Sequence, residues 1–318
     1  MKHSHPRSLA RTVAKGTLAI LLSASLAACV TNEELGNPEG WEPILPATNP
    51  ELAALVPKDI QAKGAITVGT NPPYAPNEFK DSDGNIIGFE MDLIRAAGSM
   101  MGLDVEVQQM DFNLILPAIS AGSVDVGASA FTDTEDRQAN YDFVDFYSAG
   151  ISWATQPGNE NTLDPDNACG LKVAVQKGTY SDTDEVQGRS EECEAQGNPP
   201  IEKLVYEKAD AAATATILKK ADAYSSDSPV IDFAVARSEG KLVRVGEPFD
   251  TAPFGMGVKK KNPLGKALAA TMQTMMNDGT YEAILKQWEL EDGALDAVTF
   301  NLKPYQLPRT LKSKEGTK

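Results

Sequence analysis

From Lys58 onward, short apolar runs alternate with longer segments whose apolar residues recur every three or four positions. AITVGT (65–70) is a continuous run that passes into turn chemistry, NPPYAP, and predicts a buried strand. DSDGN (81–85) reads as a turn. IIGFEMDLIRAAGSMMG (86–102) opens a helix in which Phe89, Leu93, Ala97 and Met101 share a face and Gly102 is the stop. DVEVQQM (104–110) predicts a strand, FNLILPAISAG (112–122) a helix and VDVGASA (124–130) a strand. The pattern then restarts. Strands are predicted at 151–156, 171–176, 201–206, 222–227 and 241–245, helices from KGTYSD onward and at 209–220, 228–238, 263–278 and 280–288. Strand alternating with helix at this spacing predicts an α/β fold with a mostly parallel sheet. The ordered length is large for one core, so two lobes are expected, with 149–156 and 253–260 as the extended crossovers between them.

The segment before Lys58 is different. Lys2, Arg7, Arg11 and Lys15 precede an apolar run, TLAILLSASLAA (17–28), too short to span a bilayer as a mature helix, which reads as a signal peptide over 1–28. It ends in LAAC, a lipoprotein cleavage box that implies lipid on Cys29 and an exported protein anchored to the outer face of the cell membrane. The prolines of 30–57 (Pro38, Pro43, Pro46, Pro50, Pro57) predict an extended tether, so that 29–57 is lipidated cysteine plus linker. The formal net charge is −16, and cleavage would remove cations and no acid, which argues against nucleic acid as a partner. Cys169 and Cys193, in an exported chain, are expected to form one disulfide stabilising the loop they close by about 3 kcal/mol.

One short stretch poses the functional question. In FTDTEDRQA (131–139), Arg137 follows Asp133, Glu135 and Asp136. By local sequence it is either one half of a surface ion pair or a cation placed to receive an anion from outside. Thr134 is placed to cap a helix starting at Glu135, which adds backbone N–H groups to the guanidinium fork. Asp227 in DAYSSDSP, before a helix, reads equally as an N-cap.

The order VGTNPPYAP, DGNIIGFEMDL, LPAISAGSVDV, FTDTEDR, VDFYSAG, VAVQKGTY, DAYSSDSP, FGMGV and NDGTYEAILKQW resembles the family 3 extracellular solute-binding proteins, over about 65–290. These are the amino-acid-binding subunits of ABC importers. The resemblance implies a two-lobed, type II periplasmic-binding-protein-like fold with two crossover strands at the hinge. Lobe 1 is expected at 58–151 and 254–300, lobe 2 at 152–253, and a C-terminal tail at 301–318. It implies that Arg137 takes the α-carboxylate of a free amino acid together with Thr132, and that Asp227 takes the α-ammonium. Ala130 stands where relatives carry Ser or Gly, so a bond there is expected from its backbone. Tyr74 and Phe112 fall where relatives sandwich the ligand side chain, although either residue also suits a core. Asn71 stands where several relatives carry Asp, which favours a neutral or acidic polar side chain in the ligand. Thr179 and Tyr180 follow the glycine that opens a lobe 2 helix; Tyr180 is bulkier than usual there, and Asn77 is an extra residue in YAPNEF. The expected partners are the amino acid, a permease and its ATPase, and the lipid anchor, with the protein itself a monomer.

A dehydratase-like enzyme on the same fold is the first alternative. His3 and His5 are the chain's two histidines and lie in the signal segment, and no ligand spacing suggests a metal or other cofactor. A solute-sensing domain uncoupled from import is the second.

Overall fold

The computed structural model describes residues 36–308 and residue 311. The expected signal peptide, Cys29 and the first residues of the expected tether lie outside the described residues. The strands are β1 (Ala65–Thr70), β2 (Phe79–Lys80), β3 (Ile86–Ile87), β4 (Asp104–Gln109), β5 (Val126–Gly127), β6 (Tyr141–Thr155), β7 (Lys172–Gln176), β8 (Glu202–Tyr206), β9 (Ala223–Asp227), β10 (Val243–Lys259), β11 (Ala294–Phe300) and β12 (Lys303–Pro304). β2 and β3 form a separate hairpin. The main sheet runs β4-β1-β5-β10-β6-β9-β7-β8, with β11 beside β6 and β12 beside β11.

Within that order lie two similar halves. In one, β1 pairs in parallel with β4 and β5; in the other, β7 pairs in parallel with β8 and β9. β1 is buried along its whole length because it is central and covered on both faces, which is why AITVGT carries no polar alternation. β10 joins the first half antiparallel to β5, and β6 joins the second antiparallel to β9. β6 and β10 also pair with each other from Tyr141↔Lys259 to Thr155↔Val243. Their register breaks between Val245 and Phe249 and between Phe249 and Ala252. These long strands are the two crossovers of a two-lobed α/β fold, and the register breaks mark the hinge. Residues 254–259 of β10 pair with Tyr141–Tyr147.

The Phe89–Met101 helix buries the predicted stripe and ends at Gly102, whose φ of 72° is left-handed. VDVGASA pairs only at Val126–Gly127 and then leaves the sheet. Ala130 adopts φ 50°, and its N–H goes to the Glu90 carboxylate at 2.7 Å instead of to a ladder partner. KGTYSD opens with a π-helical turn, Ser181–Glu185, before the Val186–Ala195 helix. Cys169 and Cys193 are joined in a disulfide, their Cα atoms 5.5 Å apart.

The extended-tether reading of 29–57 is corrected from Gly36 onward. Asn49 caps a short helix, Pro50–Ala53, through its side chain, and its own N–H reaches Met100 O at 2.8 Å. Leu52 and Val56 are buried. Trp41 Nε1 donates to Asp92 Oδ2 at 2.7 Å, and Trp288 Nε1 donates to the same oxygen at 2.9 Å. The prolines are real breaks, but apolar residues spaced between them give the segment enough buried surface to dock on lobe 1. The first residues of the expected tail also contact lobe 1. Asn301 Oδ1 accepts from Phe143 N–H at 2.8 Å, and Leu307 is buried.

Candidate functional site

Parallel strands from both halves end facing one another. β1 runs out into Asn71, β5 into the 128–134 turn, β7 ends at Gln176 and β9 at Asp227. In open α/β sheets the carboxyl ends of the strands, where strand order reverses, form the ligand crevice. Here each lobe has one such crevice, and the hinge brings the two together. A small cavity lies between them, largely filled by the side chains that line it. All nine residues singled out from the sequence line it, together with Ser129 and Gln176.

Arg137 sits where the sequence left two alternatives. Thr134 caps the Glu135–Gln138 helix, its hydroxyl accepting from Arg137 N–H at 3.3 Å. The guanidinium turns away from the acids of its own turn and forms no ion pair among the described residues. Nη1 donates to Thr132 O at 2.7 Å and Nη2 to Gly178 O of lobe 2 at 3.2 Å. Its Cζ lies 5.9 Å from the Phe112 ring centroid and 5.7 Å from that of Phe131, and these rings stack on each other at 4.6 Å. Phe112 is therefore both core and cavity wall. Burial pulls the guanidinium below its ordinary range, offset by the charges of Asp184 and Asp227. Two of its five donors are used, and the remaining three are available to an anion.

Asp227 is the N-cap residue of the Ser228–Arg237 helix, but its carboxylate makes no capping bond. Instead it accepts from Tyr74 Oη at 2.5 Å, and Tyr74 also bonds Ser226 at 3.0 Å. Burial pushes the Asp227 carboxyl up to about 7; Tyr74 and the Arg137 charge hold it back from going further. Burial, then Asp227, raises Tyr74 well above its usual value, so this hydroxyl is a fixed donor.

At the other end, Gln176 Nε2 donates to Asn71 Oδ1 at 2.7 Å and to Glu207 O at 3.4 Å. Both partners are acceptors, so the orientation of the Gln176 amide is determined and Oε1 points elsewhere. That oxygen is buried and has no hydrogen-bond partner among the described residues. Asn71 Nδ2 donates to Met110 O, which leaves Asn71 Oδ1 as the atom it presents. Thr179 hydroxyl is spent on Gln176 O at 2.7 Å, while half-buried Tyr180 packs toward the small lobe 2 core. Gly178, at φ 77°, lies so close to lobe 1 that a Cβ there would stand 3.2 Å from Asn113 Cβ. Tyr74–Asp227, Asn71–Gln176 and Arg137–Gly178 are all contacts between lobes, so this is a closed cleft.

Any ligand bond at Ala130 was expected from its backbone, and its N–H is taken by Glu90 Oε2. Ser129 and Gln176 were missed. A polar residue closing an otherwise apolar strand, VAVQ, was the available signal for Gln176. Asn77 is absorbed in the turn closed by Tyr74 N–H to Glu78 O at 2.7 Å, and is itself buried.

The sequence profile of the bacterial extracellular solute-binding proteins, family 3, matches residues 66–291. The chain is 50% identical over 299 residues to the arginine-binding protein ArgT of Corynebacterium glutamicum, covering 94% of this chain and 98% of that one. An ancestral arginine-binding protein bound to arginine superposes with TM-score 0.66 at 30% identity, over 71% of this chain and 98% of the other. An ancestral arginine-binding protein bound to glutamine superposes with TM-score 0.64 at 29% identity, over 71% and 97%. A family match across most of the folded residues, and a relative matched nearly end to end, place this chain in family 3 of the bacterial extracellular solute-binding proteins.

Proposed function

We propose that the protein is the substrate-binding subunit of an ABC importer and that it captures free arginine. Arg137 takes the α-carboxylate and Asp227 the α-ammonium, one from each lobe, so the zwitterion bridges the cleft and its full set of contacts exists only in the closed form. Thr132 flanks the carboxylate, and Tyr74 and Phe112 flank the side chain.

The observation that carries the choice of side chain is the pair of amide oxygens, Asn71 Oδ1 and Gln176 Oε1. Both belong to buried residues on the cavity wall, and the latter lacks a donor among the described residues. A buried acceptor without a partner costs about 1–3 kcal/mol, which a ligand bearing N–H groups would recover. Guanidinium carries five such donors and needs no carboxylate to satisfy them. The neutral Asn71, read from sequence as favouring a neutral or acidic ligand, is thus compatible with a cation once Gln176 stands beside it. The 50% identical relative named as arginine-binding supports the same choice.

The test is isothermal titration of the mature chain with arginine, lysine, glutamine and glutamate. Arginine is expected to bind at micromolar Kd or tighter, about −8 kcal/mol or better. Glutamate binding more tightly than arginine would overturn the side-chain assignment.

A further inference from the structure

Tyr74–Asp227, Asn71–Gln176 and Arg137–Gly178 cross the cleft, and each bond involves at least one residue that lines the cavity. One more bond joins the lobes and touches no cavity residue: Lys208 Nζ donates to Pro72 O at 3.1 Å. Both groups are delivered by strand ends. β1 finishes at Thr70, and Asn71 and Pro72 follow it; β8 finishes at Tyr206, and Glu207 and Lys208 follow that. Lys208 is the N-cap residue of the Ala209–Ile217 helix, in extended backbone at φ −130° and ψ 144°, and its side chain makes no capping bond. Lobe 2 ties this segment to the site. Lys177 N–H donates to Tyr206 O at 2.8 Å, and Gln176 Nε2 donates to Glu207 O at 3.4 Å as well as to Asn71 Oδ1 at 2.7 Å. Asn71–Gln176 and Pro72–Lys208 are therefore neighbouring rungs between the lobes, one on the cavity wall and one outside it.

We infer that Lys208 is a positioning residue for ligand capture: its bond to Pro72 O is a latch of the closed form that tightens the hold on every ligand without touching any. The inference rests on the proposed capture of an amino acid by lobe closure. Topology explains why this bond is sensitive to opening. β6 and β10 carry the hinge, and in the sheet order β8 is the lobe 2 strand farthest from them. Rotation about the hinge moves the residues after β8 further than those after β9 or β7, so a 3.1 Å bond there is lost early in opening. In the closed form Pro72 is buried and Lys208 half-buried. Pro72 O has a second donor in Gln109 Nε2, but at 3.4 Å, so the ammonium is the shorter and the charged partner. Pro72 directly follows Asn71, and fixing its carbonyl also fixes the backbone that presents Asn71 Oδ1. Because the bond stabilises the closed form alone, its loss lowers the competent fraction and weakens all ligands by one common factor.

Lys208→Met removes the donor and keeps the apolar stem. Kd by calorimetry, and association and dissociation rates by stopped flow, are measured for wild type and Lys208→Met with arginine and with glutamine, which differ in side-chain charge. The variant is expected to bind both amino acids roughly three- to tenfold more weakly, by the same factor for each. The change is expected in the dissociation rate, with the association rate and the unliganded melting temperature unaltered. A residue that only supports the fold of lobe 2 would lower the melting temperature, and that result overturns the inference. Affinities for both ligands within about twofold of wild type also overturn it. So does tighter binding of arginine with glutamine unchanged, which would make Lys208 a charge that repels the cation. The latch and the ligand assignment fail separately. If wild type binds other amino acids and not arginine, the side-chain assignment falls, and the common factor is read on those that bind. If it binds none, single-molecule fluorescence transfer between dyes on the two lobes of the unliganded chain decides. Closed excursions shortened by about the same three- to tenfold in Lys208→Met support the latch, and unchanged closed dwell times refute it.

Discussion

Replacing Arg137 by Met should separate affinity from stability. Arg137 as a residue is half-buried, but its guanidinium is largely shut off from solvent, lies near the Phe112 and Phe131 rings, and has no ion pair among the described residues. Its contribution to the unliganded fold is therefore a balance of opposing terms. Removing it forfeits two hydrogen bonds, to Thr132 O and Gly178 O, at about 1 kcal/mol each. It also relieves the desolvation of a buried cation, a penalty of several kcal/mol that the charges of Asp184 and Asp227 partly offset. Met retains part of the contact with the two rings. The unliganded melting temperature is thus expected to match wild type within about 3 °C. In the complex the balance is different, because the ligand carboxylate is left in the closed cleft without its cation. That costs about 3–5 kcal/mol, a loss of affinity of more than 100-fold. The assays are differential scanning fluorimetry without ligand and calorimetric titration with arginine. A variant that melts far below wild type while keeping affinity within tenfold would show that Arg137 is a structural residue and refute the reasoning.

Four further outcomes are expected. Asp227, raised to about 7 in the unliganded protein, must be ionised to hold an ammonium group, so binding releases a proton below that pH and affinity falls as the medium is acidified. Asp227→Asn should lose this acid limb; the same limb in both proteins would assign it to another group. By the same shift, the unliganded fold binds the proton more tightly than the unfolded chain, so this residue's contribution to stability declines as pH rises from about 4 to about 7. Gln176→Leu should weaken arginine by roughly tenfold or more through loss of the Oε1 acceptor while weakening alanine little, and equal losses for both would show a general effect on closure. Cys169→Ser with Cys193→Ser opens a link of sequence separation 24 and should cost about 3 kcal/mol, read by urea denaturation, with the Kd for arginine unchanged, since the bridge lies in the small lobe 2 core.

β1 and β7 were legible as apolar runs punctuated by turn residues and β4 by its alternation, and Asn71 and Thr179 beyond strand ends and Asp227 at one could be located from that pattern and the resemblance together. The turn at 128–134 was only partly legible. Ala128, Ser129 and Ala130 continue the strand-like composition of VDVGASA, and what draws them off the sheet is the pair of carboxyls at Glu78 and Glu90, some forty to fifty residues earlier in the chain. Nothing local to either segment encodes that meeting. The same holds for Gln176, whose role depends on Asn71 arriving from the other lobe. The docked segment after Gly36 misled for a different reason: proline content dominates a short-range reading, whereas the Trp41–Asp92 bond that helps fix the segment is visible only in three dimensions.

The central claim is that Arg137 and Asp227 close the two lobes on the zwitterion of arginine. Calorimetric titration of the mature chain with arginine, its N-acetyl derivative and its amide tests this most directly. Free arginine is expected to bind at micromolar Kd or tighter, and both derivatives, each lacking one charge of the zwitterion, to bind at least 100-fold more weakly. If either derivative binds as well as arginine, the residue assigned to the missing charge does not hold it, and the account of the cleft is wrong.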